Sequence, residues 1–180
     1  MRRAEQHQAA ALLGVKAVRF LGLPEEGLPG VRREVHEELV RAIRQVRPQR
    51  VVTWSPEWNW QRFRSCHPDH VATGAATLEA IYPDASNPFA LAHLRDDEGL
   101  EPWTVREAWL INSPGREINH YVDITATFDR KVAAVRAHTS QIRDPDALAG
   151  RLHDRIAGNT SAAGLVEGRL AEAFQVVPTG

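Results

Sequence analysis

In "VRREVHEELVRAIRQVRP" the apolar residues Val31, Val35, Leu39, Ile43 and Val46 return every three or four positions, so one face of a helix is predicted and Pro48 ends it. The stretch before it, "RRAEQHQAAALLGV", is rich in good helix formers and closes at Gly14, as a helix with a C-terminal glycine does. Between the two, "KAVRFLGL" alternates as a strand would, and "PEEGLPG" supplies turn residues. "RVVTWS" then predicts a short buried strand that ends at Pro56. Strand, helix, strand in this order predicts a parallel sheet.

Further along, "SCHPDHVATGAATLEA" begins a helix expected to run to about Tyr82, and "PDASNPFALAHLRDDEGLEP" reads mostly as connection. "VREAWLI" and "HYVDIT" are predicted strands. Phe128, Val132 and Val135 mark one helix, and Leu148, Leu152 and Ile156 another. The tail "GLVEGRLAEAFQVV" fits helix or strand. The class is α/β, with helices on a mainly parallel sheet and no internal repeat.

The chain has 180 residues, 43% of them hydrophobic, which is enough for one globular domain with its own core, so 1–180 is expected to be a single domain. A formal charge of −1 gives no general attraction to nucleic acid or anionic lipid. No apolar run reaches the roughly 20 residues of a membrane span. Cys66 is the only cysteine, and "MRRAEQHQAA" lacks the apolar core of a signal peptide, so a cytoplasmic protein without an internal disulfide is expected.

Candidate chemistry concentrates in "HPDH". With Pro68 at the first helical position, where its missing N–H costs nothing, His67 and His70 stand three apart on one face. Neutral imidazoles bind zinc, and a catalytic zinc usually has three protein ligands and one open position, so His70 could be a ligand. The other histidine, with a carboxylate such as Asp69 beside it, could carry positive charge towards an oxyanion or a leaving amine. The bland alternative is a polar helix start. Trp58 and Trp60, with Trp54 and Phe63, border the motif and could stack on a sugar ring or simply pack. Arg62 and Arg64 could meet an anionic group or be solvated. Cys66 and the Ser140 of "HTSQ" offer a weaker nucleophile reading, since no recognisable partner spacing accompanies either.

Taken in order, "RPQRVVTWSPEWNWQRFRSCHPDHVATGAATLEA", "HYVDIT", "DRKVAAVRAHTSQ", "AEAFQVV" and the early "RRAEQHQAAALLGVKAVRFLGLPEEGL" resemble the PIG-L, or LmbE-like, zinc-dependent de-N-acetylases. The resemblance implies a Rossmann-like three-layer α/β sandwich. It also implies hydrolysis of an N-acetyl group from an N-acetylglucosamine-type conjugate, a small-molecule substrate. It puts zinc on His70, stabilisation of the tetrahedral intermediate and amine protonation on His67, and Asp69 beside His67 as its electrostatic partner. Arg2 falls at the substrate-facing arginine. Asp123, Lys131, His138 and Gln141 match recurring positions and are carried over as structural or pocket-edge candidates.

The sequence departs from that pattern in one respect. It contains no Ala-His-Pro-Asp-Asp motif, which in the family supplies the other histidine ligand, an aspartate ligand and the general base. The expectation is therefore a C-terminal portion of such a domain, N-terminally incomplete, with two ligands and the base missing and activity lowered or lost. Self-association or instability would follow from exposed apolar surface. Asp123, His120 and His138 stand where recruitment is conceivable, or as satisfied polar residues. The alternative function is a non-catalytic, sugar-binding or regulatory remnant of the same fold.

Overall fold

The computed structural model describes residues 1–22 and 32–180. In chain order the elements are α1 (Arg2–Leu13), α2 (Arg32–Val46), β1 (Arg50–Trp54), α3 (Pro68–Glu79), α4 (Ala92–Asp96), β2 (Glu107–Ile111), β3 (His120–Asp123), α5 (Phe128–Arg136), α6 (Leu148–Ala157), α7 (Asn159–Ala162) and β4 (Ala171–Pro178). They fall into two compact units, residues 1–20 with 121–173 and residues 21–120 with 174–180.

In the unit holding residues 21–120, the apolar stripe of α2 lands largely as its spacing predicts. Val35 and Ile43 are buried, Val40 is fully buried, and Leu39 packs against the same cluster. Val46 differs, at 73% exposed, because the helix ends there and the chain turns away at Arg47, whose φ is 53°. Val31 and the turn Pro24–Gly30 lie outside the described residues. Around the α2 face gather Ile81, Leu94, Val105 and Leu110, all nearly inaccessible to water. Burying each such side chain favours folding by about 1.5–3 kcal/mol.

β1 and β2 pair in parallel, from Arg50↔Glu107 to Trp54↔Ile111. β4 is antiparallel to β2, from Glu107↔Pro178 to Leu110↔Gln175. The α/β class stands, and among the described residues the four-stranded sheet, ordered β1-β2-β4-β3, holds both a parallel and an antiparallel pairing. The ambiguous tail resolves to strand because β2 offers it a ladder, and Phe174 tilts against Trp109 with ring centroids 5.1 Å apart. α4 lies within the stretch read as connection, and α7 was not expected. Each is four or five residues long, too short to show a helical period.

In the other unit, α1 ends as its glycine suggests: Gly14 sits at φ 73°, and its N–H and that of Val15 reach the carbonyls of the last turn. The strand expected in "KAVRFLGL" is corrected. Among the described residues 16–22 no strand forms. Instead Phe20 folds back on α1, 5.4 Å edge-on from the His7 ring and 5.2 Å below the Arg3 guanidinium. Ile124, Ile156 and Leu170 form this unit's core cluster.

Candidate functional site

The "HPDH" segment lies where α3 starts. Pro68 is the first helical residue and His67 is its N-cap, extended at φ −61° and ψ 139°. The Asp69 N–H donates to His67 Nδ1 at 3.2 Å. An acceptor nitrogen carries no proton, so the neutral His67 ring is protonated at Nε2. The Asp69 carboxylate stands 3.8 Å from the same Nδ1, close enough for an ion pair once that nitrogen is protonated. The helix-start reading and the chemical reading thus share one atom.

His70, one turn into the helix, has the opposite arrangement. Its Nδ1 is 3.3 Å from the Ser65 carbonyl, which can only accept, so Nδ1 bears the proton and Nε2 the lone pair. The two imidazoles are 5.7 Å apart, centroid to centroid. His70 also lies flat on the Trp54 indole, with centroids 3.8 Å apart and planes 2° from parallel. The expected three-residue spacing therefore brings together one ring offering N–H and one offering a lone pair.

The loop between β1 and α3 is pinned from beneath. Asn59 donates from Nδ2 to the Ser113 carbonyl at 2.9 Å, and its N–H points to Cys66 Sγ at 3.2 Å. Cys66 is buried within this loop as a packing residue. The anchored loop carries Trp58, Trp60 and Phe63 outwards, 37%, 74% and 58% exposed. Their rings lie 5.7–6.2 Å apart with planes 9–23° from parallel. Arg62 and Arg64 are exposed on the same turn, and Glu57 pairs with Arg116 at 2.9 Å.

Arg2, Asp123, Lys131, His138 and Gln141 belong to the other unit. With its amide oxygen turned to Arg2, Gln141 accepts from Nε at 2.6 Å and Nη2 at 3.1 Å. Beside them Glu5 is buried and accepts from Ser140 Oγ (2.6 Å), Ser140 N (2.8 Å) and Thr139 Oγ1 (2.9 Å). The Ser140 hydroxyl bond, then its amide, hold the Glu5 carboxyl below the usual carboxylate range. The hydroxyl of "HTSQ" is thus committed to a carboxylate that holds α1 to the loop after α5.

Asp123 accepts from the Thr125 hydroxyl and amide and from Arg169, which together bring its pKa down to about 2. Lys131 pairs with Glu172. Both side chains are held by partners within their own unit. His138 borders an apolar groove of about 440 Å³ that Ala9, Ala10, Leu13 and Val135 also line. His120 stacks edge-on against Trp109 at 4.6 Å, within the unit that holds "HPDH".

A three-ligand zinc needs a convergent donor set, and among the described residues no group of three or more His, Cys, Asp or Glu side chains could hold a metal ion. His70 Nε2 is a suitable single donor, but these residues do not by themselves fit the metal. No helix of the described residues is long and apolar enough to cross a membrane. Sequence reasoning missed the contact of Trp54 with His70, although the indole's place at the end of β1 was in view.

Comparison with known proteins gives the context. The family described as PIG-L: GlcNAc-PI de-N-acetylase matches residues 1–81. A diacetylchitobiose deacetylase of Thermococcus kodakarensis is 31% identical over 78% of this chain and 49% of its own length. A 1D-myo-inositol 2-acetamido-2-deoxy-alpha-D-glucopyranoside deacetylase of Saccharomonospora viridis is 32% identical over 82% of this chain and 65% of its own. The chain thus spans about half to two thirds of these relatives. Among solved structures, the N,N'-diacetylchitobiose deacetylase of Pyrococcus horikoshii superposes with TM-score 0.75 at 27% identity, over 98% of this chain and 62% of that one. A conserved protein of Thermus thermophilus gives 0.73 at 26% identity, over 99% of this chain and 74% of that one.

Proposed function

We propose that the chain is part of a PIG-L-family deacetylase that hydrolyses the N-acetyl group of an N-acetylglucosamine-type conjugate, in keeping with the family match over residues 1–81 and the deacetylases it resembles. The observation that carries this reading is the pair of imidazoles at the start of α3, one with a free N–H and the other with a free lone pair, 5.7 Å apart. Amide hydrolysis needs both kinds of group. Water adds to the carbonyl carbon, the C–N bond breaks, acetate leaves, and the amine departs with a proton it did not have. His67 Nε2–H is suited to hydrogen-bond the developing oxyanion, and once Nδ1 has taken up a proton that the attacking water gives up, the imidazolium is suited to deliver its Nε2 proton to the leaving amine. Asp69 then stabilises the imidazolium whenever His67 holds a second proton.

His70 Nε2 is the donor this chain offers to a zinc ion, which when bound would polarise the carbonyl and lower the pKa of water. The described residues do not complete a ligand set around it. Trp58 and Trp60 are proposed to meet the sugar or the group attached to it, with Arg62 at the rim. Arg2, steadied by Gln141, is proposed to contact substrate, and Asp123, Lys131 and His138 to support the fold around it.

The same exposed aromatic rings would serve binding without hydrolysis, so the test measures both. The purified chain is assayed for bound metal, for release of acetate from N-acetylglucosamine conjugates, and for binding of the same conjugates by tryptophan fluorescence. The reading expects conjugate binding that weakens about 3–10-fold in Trp60→Ala, in keeping with loss of one aromatic stacking contact. Acetate release that His70→Ala abolishes supports hydrolysis by this chain. Binding alone supports the sugar-binding alternative, and neither binding nor release sinks both.

A further inference from the structure

Two constraints meet on the His70 ring, the Trp54 indole and the Ser65 carbonyl, and both come from outside "HPDH". A histidine ring turns about a broad, roughly two-fold torsion, so without a wall it can swing and exchange its two nitrogens. Trp54 supplies that wall, parallel to the imidazole within 2° at 3.8 Å. Both residues are half-buried, so the stack is not closed off inside the core and the edges of the rings remain near solvent. Ser65 then selects the nitrogen by accepting from Nδ1.

The wall stands at the right height because α3 lies unusually close to the end of β1. Gly74 is four residues after His70, one turn along the same helix face. A Cβ at Gly74 would lie 2.3 Å from the Trp54 carbonyl oxygen and 3.1 Å from Pro56 N, so no other residue fits without moving backbone. A turn further on, the buried Thr53 hydroxyl donates to Thr77 Oγ1 at 3.2 Å, and Thr77 donates to the Thr73 carbonyl at 2.7 Å. The same face, His70, Gly74 and Thr77, is thus laid along Thr53 and Trp54.

We infer that Trp54 and Gly74 are positioning residues for His70: the glycine sets the distance between helix and strand, and the indole fixes the imidazole plane so that Nε2 is presented in one direction. The use of that nitrogen in catalysis rests on the function proposed above; the positioning itself does not. Neither residue contributes an atom to the reaction. Both act through His70.

The test is NMR of the full chain at a pH where histidine is neutral, reading imidazole nitrogen and ring-proton shifts in the wild type and in Trp54→Leu, Trp54→Phe and Gly74→Ala. The wild type is expected to show one His70 tautomer, protonated at Nδ1, with ring protons displaced upfield by the indole. Trp54→Leu trivially removes the upfield displacement, so the deciding readout is the tautomer, expected to become a mixture, with Trp54→Phe restoring the single form. Gly74→Ala, if folded, keeps the indole but is expected to lose much of the upfield displacement. A single Nδ1–H tautomer persisting in Trp54→Leu overturns the inference, as does a folded Gly74→Ala with unchanged ring shifts. The Trp54 pair decides even if Gly74→Ala does not fold. A chain with the expected signature that binds no N-acetylglucosamine conjugate counts against the proposed function alone.

Discussion

At His67 the nitrogen that accepts the Asp69 N–H is also the nitrogen nearest the Asp69 carboxylate, so capping and protonation compete for one lone pair. Substitutions can separate the two. Asparagine is among the best N-cap residues, whereas alanine cannot accept from the helix N–H groups. His67→Ala is expected to lower stability by about 1 kcal/mol, and His67→Asn to stay near wild type, in urea unfolding. If His67 acts as proposed, both substitutions lose acetate release alike, and a His67→Asn chain with full activity would leave this residue as a cap alone. Sequence spacing revealed the pair and the role of Pro68. It could not reveal which nitrogen of either ring is free, because that depends on the Asp69 amide for His67 and on the Ser65 carbonyl, five residues away, for His70.

On the scale of elements, Arg44 joins α2 to the turns that follow α3. Buried to 2% exposure, it donates from Nε to the Ala85 carbonyl and from Nη2 to those of Asp84, Asn87 and Ala90. Desolvation lowers its pKa, but a guanidinium stays charged, so it remains a donor to four carbonyls. Arg44→Met keeps the stem and deletes the donors, and is expected to cost about 2–3 kcal/mol in urea unfolding. A loss under 0.5 kcal/mol, within the range of ordinary surface changes, would show that water replaces the guanidinium. Nothing in the period of α2 distinguishes Arg44 from a solvated charge, since it sits beside Ile43 at the margin of the apolar stripe. Val35, Leu39 and Ile43 were legible because a helix buries a face it repeats. Residues 16–22 were not, because alternation shows that a segment can be a strand but not whether a neighbour will pair with it, and Phe20 found His7 and Arg3 instead. The stack on His70 was hidden for the same reason, as it depends on how closely α3 approaches β1 at Gly74.

For the whole molecule, net charge near zero means that pH dependence comes from individual carboxylates rather than from general repulsion. Among the described residues five have pKa values lowered by their partners: Glu5 and Asp123 in one unit, and Glu37, Glu98 and Glu107 in the other. The hydrogen bond from His93 leads for Glu37, that from Arg41 for Glu98, and that from the Trp109 indole for Glu107. A lowered pKa means that the unfolded chain takes up protons first as pH falls. The stabilisation is therefore complete above the ordinary carboxylate values, 4.5 for glutamate and 3.8 for aspartate, and is lost as pH falls through the folded values, for Asp123 about 2. Urea midpoints measured from pH 7 down to pH 2 should thus be flat at first and then fall below about pH 4.5. Asp123→Asn isolates one contribution. Its deficit against wild type should be constant above pH 5 and should shrink between pH 4 and pH 2, as the wild-type carboxyl itself takes up a proton. A deficit independent of pH across that window would mean that the Thr125 and Arg169 contacts serve shape alone, with no preference for the charged carboxylate.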